Sequence, residues 1–259
     1  MLNLFVFLFG LAIGSFLNCV IYRLEKKQSF LKGRSYCPHC KHILSWQDLI
    51  PVFSFLILRG KCRYCRKKIS LQYPLVELAT GSLFLLIFIY FNNLLVTRYW
   101  LLVTGYWLLI TSFLIIIFVY DLKHYIIPDK VIYLAIAIAF LYNLITGYWL
   151  LVTNNYLPAA FGAAGFFLFI VLVSRGKWMG VGDIKLAFLI GFLLGWPKAL
   201  LALFLAFLIG AIIGLGLIIL KKKTIKSELP FGPFLITGIY LALFFGEKII
   251  SWYFGLFNI

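Results

Sequence analysis

Long apolar runs separated by short polar segments dominate the pattern of hydrophobic positions along this chain. A helix that crosses the ~30 Å apolar core of a bilayer needs about 20 mainly apolar residues. Eight runs are candidates: Leu4–Tyr22, Tyr73–Phe91, Tyr99–Tyr120, Val131–Tyr148, Leu157–Ser174, Ile184–Trp196, Ala199–Leu220 and Phe231–Phe254. Seven are long enough to cross, whereas Ile184–Trp196 needs tilt, local thinning or a broken-helix arrangement. The pattern predicts an all-α polytopic membrane protein with about eight transmembrane helices.

The composition supports this prediction and excludes other classes. Of 259 residues, 64% are hydrophobic and only 12% are charged, and the mean hydropathy is +1.03. A soluble domain is about a quarter charged, and a disordered chain has low hydrophobicity. The net charge of +16 alone would suit a nucleic-acid-binding protein, but the apolar fraction opposes it. We therefore expect a lipid bilayer around the chain and no nucleic acid.

The basic residues predict the orientation in the membrane. With eight crossings, 21 of the 24 Lys and Arg residues fall on one side and 3 on the other. The rich side holds Arg23–Gln72, Asp121–Lys130, Arg175–Asp183 with Lys185 at the start of the next helix, and Lys221–Glu228. The positive-inside rule makes this side cytoplasmic and places both termini outside. The first apolar run has no positive charge before it, so we expect a retained helix rather than a cleaved signal peptide.

This pattern divides the chain into three parts. Residues 1–22 form the first transmembrane helix, 23–72 form a basic cytoplasmic loop, and 73–259 form a core of seven membrane helices. The loop is the only segment with the composition of a soluble region. Its basic residues fit both topology and attraction to anionic lipid headgroups.

Four cysteines in the loop have the spacing of a metal site. Cys37 and Cys40 form one C-x2-C pair, and Cys62 and Cys65 form the second, 21 residues further on. Two such pairs are typical of a structural zinc site of the ribbon type. Two disulfides and a redox site are the alternatives; a reducing compartment opposes the first, and the absence of a βαβ context opposes the second. His39 and His42 could compete as ligands, but four cysteines already complete a tetrahedron.

Carboxylates near membrane spans are the candidate catalytic groups, because a charge in such a chain is costly and needs a reason. Asp121 ends the third span, and Asp183 begins the short one within Gly-Val-Gly-Asp. Both lie at the predicted cytoplasmic boundary. Taken singly, Asp121 could be an interfacial charge and Asp183 a helix cap. Taken together, they suit hydrolysis in which two carboxylates share one proton, one as general base and the other as general acid.

The ordered set of motifs resembles the type IV prepilin peptidases, which are GxGD membrane aspartic proteases. The likeness spans nearly the whole chain and more than one motif carries it. The matching segments are Gly14-Ser15-Phe16-Leu17-Asn18, Tyr22-Arg23-Leu24, the paired CxxC loop, Tyr73-Pro74-Leu75-Val76-Glu77-Leu78, Asp121 to Asp129, Gly180-Val181-Gly182-Asp183-Ile184-Lys185 and Pro230-Phe231-Gly232-Pro233.

The resemblance implies a function and a site. It implies cleavage of the leader of a prepilin or pseudopilin after a glycine at the cytoplasmic face, with Asp121 and Asp183 as the catalytic pair and Asp129 structural. It also implies N-methylation of the newly exposed residue with S-adenosylmethionine. The chain contains no independent sequence motif for binding that cofactor. The resemblance makes Glu77 a candidate residue for the methylation site.

Two other functions remain to be compared. An ion- or proton-coupled transporter could use the same acids, but it predicts symmetric halves with acids at mid-membrane depth, and no repeat is evident. An assembly factor could dock partners through the zinc loop and would not need the aspartates.

Overall fold

The computed structural model describes residues 1–29, 33–94, 100–146, 152–222, 224 and 227–256, and within them the chain is almost wholly helical. The helices are α1 Leu2–Glu25, α2 Phe53–Ile57, α3 Gln72–Leu94, α4 Trp100–His124, α5 Asp129–Thr146, α6 Leu157–Ser174, α7 Val181–Leu194, α8 Lys198–Ile219 and α9 Gly232–Leu256. A 3₁₀ turn covers Trp46–Leu49, and a π-helical turn covers Val152–Tyr156. The described residues contain no strand, only isolated bridges in the loop between α1 and α3.

Seven of these helices are long and apolar enough to cross a membrane. They correspond to the seven long apolar runs, which confirms the prediction of an all-α polytopic membrane protein. The predicted boundaries at Tyr99 and Tyr148 lie outside the described residues.

The short run forms a helix of its own, α7, with 14 residues or about 21 Å of length. It begins at Val181, three residues earlier than the apolar run, because Gly180 is its N-cap and Asp183 belongs to its first turn. It ends before Gly195, whose φ of 65° interrupts the helical backbone. Nine of its residues are buried, and it packs against α5, α6, α8 and α9. A helix enclosed by other helices does not need to match the bilayer thickness with its own surface.

The chain divides into two compact units, Met1–Ile116 and Ile117–Ile259. In unit 1, α1 and α3 lie against each other along a row of small residues. A Cβ on Gly14 would lie 2.7 Å from the Cα of Glu77, and a Cβ on Gly10 would lie 2.7 Å from the Cα of Gly81. Glycine is therefore needed for the backbones to approach this closely, as is common between membrane helices.

We expect Gly14→Leu to separate α1 from α3 and to destabilise the folded protein by about 3 kcal/mol, the upper range for overpacking. The measurement is thermal unfolding of the detergent-solubilised protein. Gly105→Leu is the matched control, because a Cβ at Gly105 in α4 would meet nothing within 4 Å. Equal melting temperatures for the two variants would contradict the close packing.

Candidate active site and metal centre

Asp121 is a buried carboxylate in the last turn of α4. Its side chain accepts a hydrogen bond from the backbone N–H of Gly232, with 3.0 Å between the nitrogen and Oδ2. Gly232 is the first residue of α9, so its N–H is one of the amides that the helix itself leaves without a partner. The partial positive charge at a helix N-terminus also favours an anion there. The start of α9 therefore holds and stabilises the Asp121 carboxylate.

There is no room for a side chain at position 232, where the chain has glycine. A Cβ built on Gly232 would lie 2.7 Å from Oδ2 of Asp121, and both residues are buried. Pro233 follows, and its missing N–H costs nothing in the first turn of a helix. This explains why the sequence has Gly-Pro at the start of α9. The physical role of this motif could not be predicted from the sequence, because Asp121 is far from it in the chain.

Asp183 is buried in the first turn of α7. Its Oδ2 accepts a hydrogen bond from the backbone N–H of Gly180, at 3.2 Å, and its own N–H donates to the Gly180 carbonyl at 3.1 Å. Gly180 is therefore the N-cap of α7, and Asp183, which one interpretation of the sequence placed at the cap, stabilises the helix start from its third position. The Asp183 carboxylate can still accept further hydrogen bonds, because a carboxylate has two oxygens and about four acceptor positions.

Asp121 and Asp183 both lie buried in unit 2, at the C-terminal end of one helix and the N-terminal end of another. Both are tied to α9, because Asp121 bonds to its first residue and α7, which carries Asp183, packs against it. Two like charges in a buried site favour a state in which the pair holds one proton. Such a pair offers a base and an acid side by side, which is the arrangement that water-mediated hydrolysis needs.

Asp129 and Lys185 form an ion pair next to these aspartates. Lys185 Nζ lies 2.6 Å from Asp129 Oδ1 and 4.9 Å from the centre of the Tyr133 ring. Asp129 is the first residue of α5, so the contact ties the start of α5 to the start of α7. A structural role for Asp129 was predicted, but its partner Lys185 lies 56 residues away and could not be.

The four loop cysteines lie in unit 1 in two similar turns. Cys37 N–H donates to the carbonyl of His42, and Cys62 N–H donates to the carbonyl of Lys67, both at 2.9 Å. In each turn the residue after the second cysteine has a positive φ, 61° at Lys41 and 60° at Arg66. The repeated geometry points both thiols of each turn toward the other turn.

The donor set fits a tetrahedral metal ion. One sulfur from each of the four cysteines lies within 4.8 Å of the others. All four are free thiols, and the 3.9 Å between Cys37 Sγ and Cys65 Sγ is far longer than the ~2.05 Å of a disulfide. His42 does not join this set, because its ring stacks on Tyr64 with 3.6 Å between the ring centres. The four thiols could therefore hold one metal ion.

The thiols differ in how easily they ionise. Burial opposes ionisation of Cys37, but hydrogen bonds with the backbone of Cys40 and His39 outweigh it and lower its pKa to about 7. At Cys65, a backbone hydrogen bond from Lys67 favours the thiolate, but burial and the neighbouring thiols raise its pKa to about 11. A divalent cation at the centre would favour the ionised form of all four sulfurs.

Asp48 joins the second cysteine turn to the rest of the loop. Arg63, which lies between Cys62 and Cys65, donates to Asp48 Oδ1 at 2.7 Å, and Tyr64 donates to Oδ2 at 3.3 Å. Burial of Asp48 is outweighed by the bonds from Arg63 and Ser45, so its pKa lies below the usual range.

Two buried polar side chains of α1, Asn18 and Arg23, join this helix to α3 and to the loop in unit 1. Asn18 donates to the carbonyl of Tyr73 at 3.0 Å. Arg23 is 4% exposed and donates to the carbonyls of Ser29, Gly33 and Arg34. These bonds give physical roles to the Asn and Arg of the first motifs, which the sequence analysis did not assign.

Together these features define a multi-pass helical membrane protein with paired buried aspartates at helix ends and a four-cysteine loop. Two family models match the chain: the Bacterial Peptidase A24 N-terminal domain over residues 8–91 and the Type IV leader peptidase family over residues 108–215. The chain belongs to the type IV leader peptidase family, which confirms the resemblance noted in the sequence.

Similar proteins cover nearly all of the chain. A prepilin leader peptidase/N-methyltransferase from Bacillus subtilis (strain 168) is 34% identical over 250 residues, with 96% of each chain covered. Proteins with the same name from Aeromonas salmonicida (strain A449) and Legionella pneumophila are both 33% identical, with 96% and 97% of this chain and 92% and 94% of theirs covered. No solved structure matches the chain.

We expect the protein, purified under reducing conditions without chelator, to contain about one metal ion per chain. Cys62→Ser should lower the metal content to less than about one-tenth, because three thiols no longer close the tetrahedron. The measurement is elemental analysis by mass spectrometry. Cys19→Ser is the control and should leave the metal content unchanged, since Cys19 is not part of the cluster. A metal-free wild-type protein would contradict the site.

Proposed function

We propose that this protein is a membrane aspartic endopeptidase that cleaves the leader of a type IV prepilin or pseudopilin after a glycine, with Asp121 and Asp183 as its catalytic pair. The observation that carries the proposal is that these two buried carboxylates each accept a backbone N–H at the start of a helix, α9 for Asp121 and α7 for Asp183, and that α7 and α9 pack against each other. Family membership and the names of the similar proteins agree with this substrate.

The mechanism follows from a pair that shares one proton. The ionised aspartate takes a proton from water as the oxygen attacks the scissile carbonyl carbon. The protonated aspartate donates its proton to the carbonyl oxygen, so the tetrahedral intermediate is a neutral diol. When the C–N bond breaks, the first aspartate returns its proton to the leaving amine and the diol gives back the other. Each cycle restores the starting protonation of the pair, and no metal takes part.

The four-cysteine site has a separate role in this proposal. Zinc is the ion that a closed set of four thiolates binds best as a structural centre. Held by Cys37, Cys40, Cys62 and Cys65, it would join two short turns in a loop that has little core of its own. The loop 23–72 would then be a zinc-stabilised appendage between the first helix, 1–22, and the membrane core, 73–259.

We further propose that the protein N-methylates the new N-terminal residue with S-adenosylmethionine, as the names of its relatives suggest. The excess of Lys and Arg supports a cytoplasmic location for the cysteine loop and both aspartates in an inner membrane. Besides the prepilin, the partner is the lipid bilayer. The families and relatives described above carry peptidase names, and none of them is a transporter.

Asp121→Asn and Asp183→Asn should each lower the rate of leader cleavage by at least about 10³-fold, because either change removes the shared proton on which the pair depends. The measurement is cleavage of a prepilin in detergent or proteoliposomes. Glu247→Gln is the control, since the exposed Glu247 pairs with Lys198 and takes no part in the hydrogen bonds of either aspartate. If either catalytic variant kept full activity, the assignment of the pair would be wrong.

Gly232→Ala should lower kcat by about 10²-fold with little change in KM, because the added Cβ would displace the Asp121 carboxylate and lengthen its bond to the Gly232 N–H. The matched control is Gly246→Ala in the same helix, where a Cβ would make only ordinary contacts, the nearest at 3.5 Å. A loss of melting temperature with unchanged kcat would show that Gly232 acts on stability and not on the position of Asp121.

A further inference from the structure

An uncharged, mostly apolar run lies within the loop between α1 and α3, at residues 49–58, and Asp48 and Arg59 bound it. Such a run is too short to cross a bilayer, and its length is typical of a buried core helix or of an interfacial or re-entrant segment. The structure excludes a core helix, because α2 and the 3₁₀ turn before it contain no buried residue. Six large apolar side chains, each at least 40% exposed, form what we call the apolar face of the loop: Trp46, Leu49, Ile50, Phe53, Leu56 and Ile57.

The α2 part of the apolar face follows the helical repeat. Phe53, Leu56 and Ile57 stand at positions i, i+3 and i+4, which share one side of a helix, and they are 56%, 63% and 76% exposed. Phe55 lies toward the protein, since a Cβ on Gly60 would be 3.1 Å from its ring. An apolar stripe that is left uncovered while a neighbouring ring packs inward indicates an interaction surface.

The start of α2 lies beside the membrane-spanning parts of α1 and α3. The N–H of Val52 donates to Oε2 of Glu77 at 2.8 Å, and Ser15 of α1 hydrogen-bonds to the same carboxylate. Glu77 lies about 6 Å along α3 from the predicted span end at Tyr73, and Ser15 lies about 10 Å along α1 from that at Tyr22. Amphipathic segments that lie in the membrane interface are buried to a similar depth, about 5–10 Å. The chain therefore folds back from the loop to the level of the bilayer.

The apolar face is continuous with the exposed surface of the first span. Leu49 and Pro51 line one cavity together with Ala12 and Phe16 of α1. Both α1 residues are exposed, Phe16 by 52%, on a helix that is long and apolar enough to cross a membrane. The surface that α1 offers to lipid thus extends onto the loop.

The backbone of α2 can enter an apolar phase because its N–H groups are paired. Those of Ser54, Leu56 and Leu58 donate to the carbonyls four residues earlier. The N–H of Val52, which has no such partner at the start of the helix, donates to Glu77. Non-helical backbone at membrane depth is tolerated only where the protein satisfies it in this way.

Basic side chains follow the apolar run. Anionic lipid headgroups attract such a cluster, so its charge complements a bilayer surface beside the apolar face. All six of these residues are exposed: Arg59, Lys61, Arg63, Arg66, Lys67 and Lys68.

We propose that residues 46–57 form a re-entrant membrane anchor, in which the apolar face of the loop contacts the lipid acyl chains of the leaflet that α1 and α3 leave on this side. The basic residues that follow lie at the headgroups. The cysteine loop is then attached to the bilayer at three places, the ends of α1 and α3 and the anchor between them, and it lies against the membrane surface.

The test uses the full chain in vesicles of phosphatidylethanolamine and phosphatidylglycerol, with the photoreactive amino acid benzoylphenylalanine in place of Phe53. After irradiation, we expect mass spectrometry to find lipid acyl chains attached at this position. The same replacement of Phe161, which is 65% exposed on the membrane helix α6, is the positive control. The matched control in the loop is Tyr64, an aromatic residue 41% exposed on the second cysteine turn, where the lipid adduct should be at most about one-tenth as abundant.

A second change tests whether the apolar face enters the membrane as a unit. Ile57→Asp, added to the chain that carries the probe at Phe53, should lower the lipid adduct at least about threefold, because a carboxylate among acyl chains is costly. Ile57→Ala is its control and should leave the adduct unchanged. Both variants should melt in detergent as the parent chain does, because Ile57 is 76% exposed and carries little of the packing.

Three results would overturn the anchor. The absence of a lipid adduct at Phe53, while Phe161 gives one, would mean that the apolar face lies in water. A cross-link at Phe53 to a second copy of the chain, or to prepilin added to the vesicles, in place of lipid would make the face a protein interface. A lipid adduct that Ile57→Asp leaves undiminished would mean that the face does not enter the acyl chains.

Discussion

A carboxylate buried in so apolar a chain needs a hydrogen-bond donor, and the fold supplies that donor from the starts of helices. Asp121 accepts the N–H of Gly232 at the start of α9, Asp183 that of Gly180 before α7, and Glu77 that of Val52 before α2. These are the amides that a helix leaves without an internal partner. One contact thus satisfies two groups that would each be costly to bury, and the positive end of the helix adds to the stabilisation of the anion.

Using backbone donors has a consequence for catalysis. A backbone amide at a helix start cannot change rotamer, so each carboxylate is held by a donor that needs little reorganisation during the reaction. A Lys or Arg partner would neutralise the aspartates and favour the state in which both are ionised. Backbone donors stabilise the charge less strongly, and therefore leave one proton available to the pair. A carboxylate can reach a backbone N–H only if no side chain lies in the way. This explains the glycine at position 232, where a Cβ would collide with Asp121.

The sequence predicted the parts of this arrangement that depend on local pattern. Seven long helices follow from the length of apolar runs, the acids stand out because they are few, and the cysteine spacing indicates a metal site. The sequence could not predict the partners, because they are distant in the chain: Gly232 is 111 residues from Asp121, and Lys185 is 56 from Asp129. The sequence marked Arg23 as a topological charge and as part of a motif, but could not reveal that it is buried and donates to three loop carbonyls. The start of α7 was also placed too late, since apolarity alone does not reveal a cap.

The stretch that follows α4 and the start of α7 form one continuous contact in unit 2. Gly182 faces the buried Ile127, because a Cβ on Gly182 would lie 3.0 Å from the Cβ of Ile127. Next to this contact Asp129 pairs with Lys185, which lies two residues after Asp183 at the start of α7. The two glycines of Gly-Val-Gly-Asp therefore differ: Gly182 allows Ile127 to approach, whereas Gly180 donates its N–H to Asp183 and a Cβ there would make only ordinary contacts. An ion pair and a tight apolar contact, both outside the aspartate pair, hold these segments together, and so the two carboxylates remain close despite their mutual repulsion.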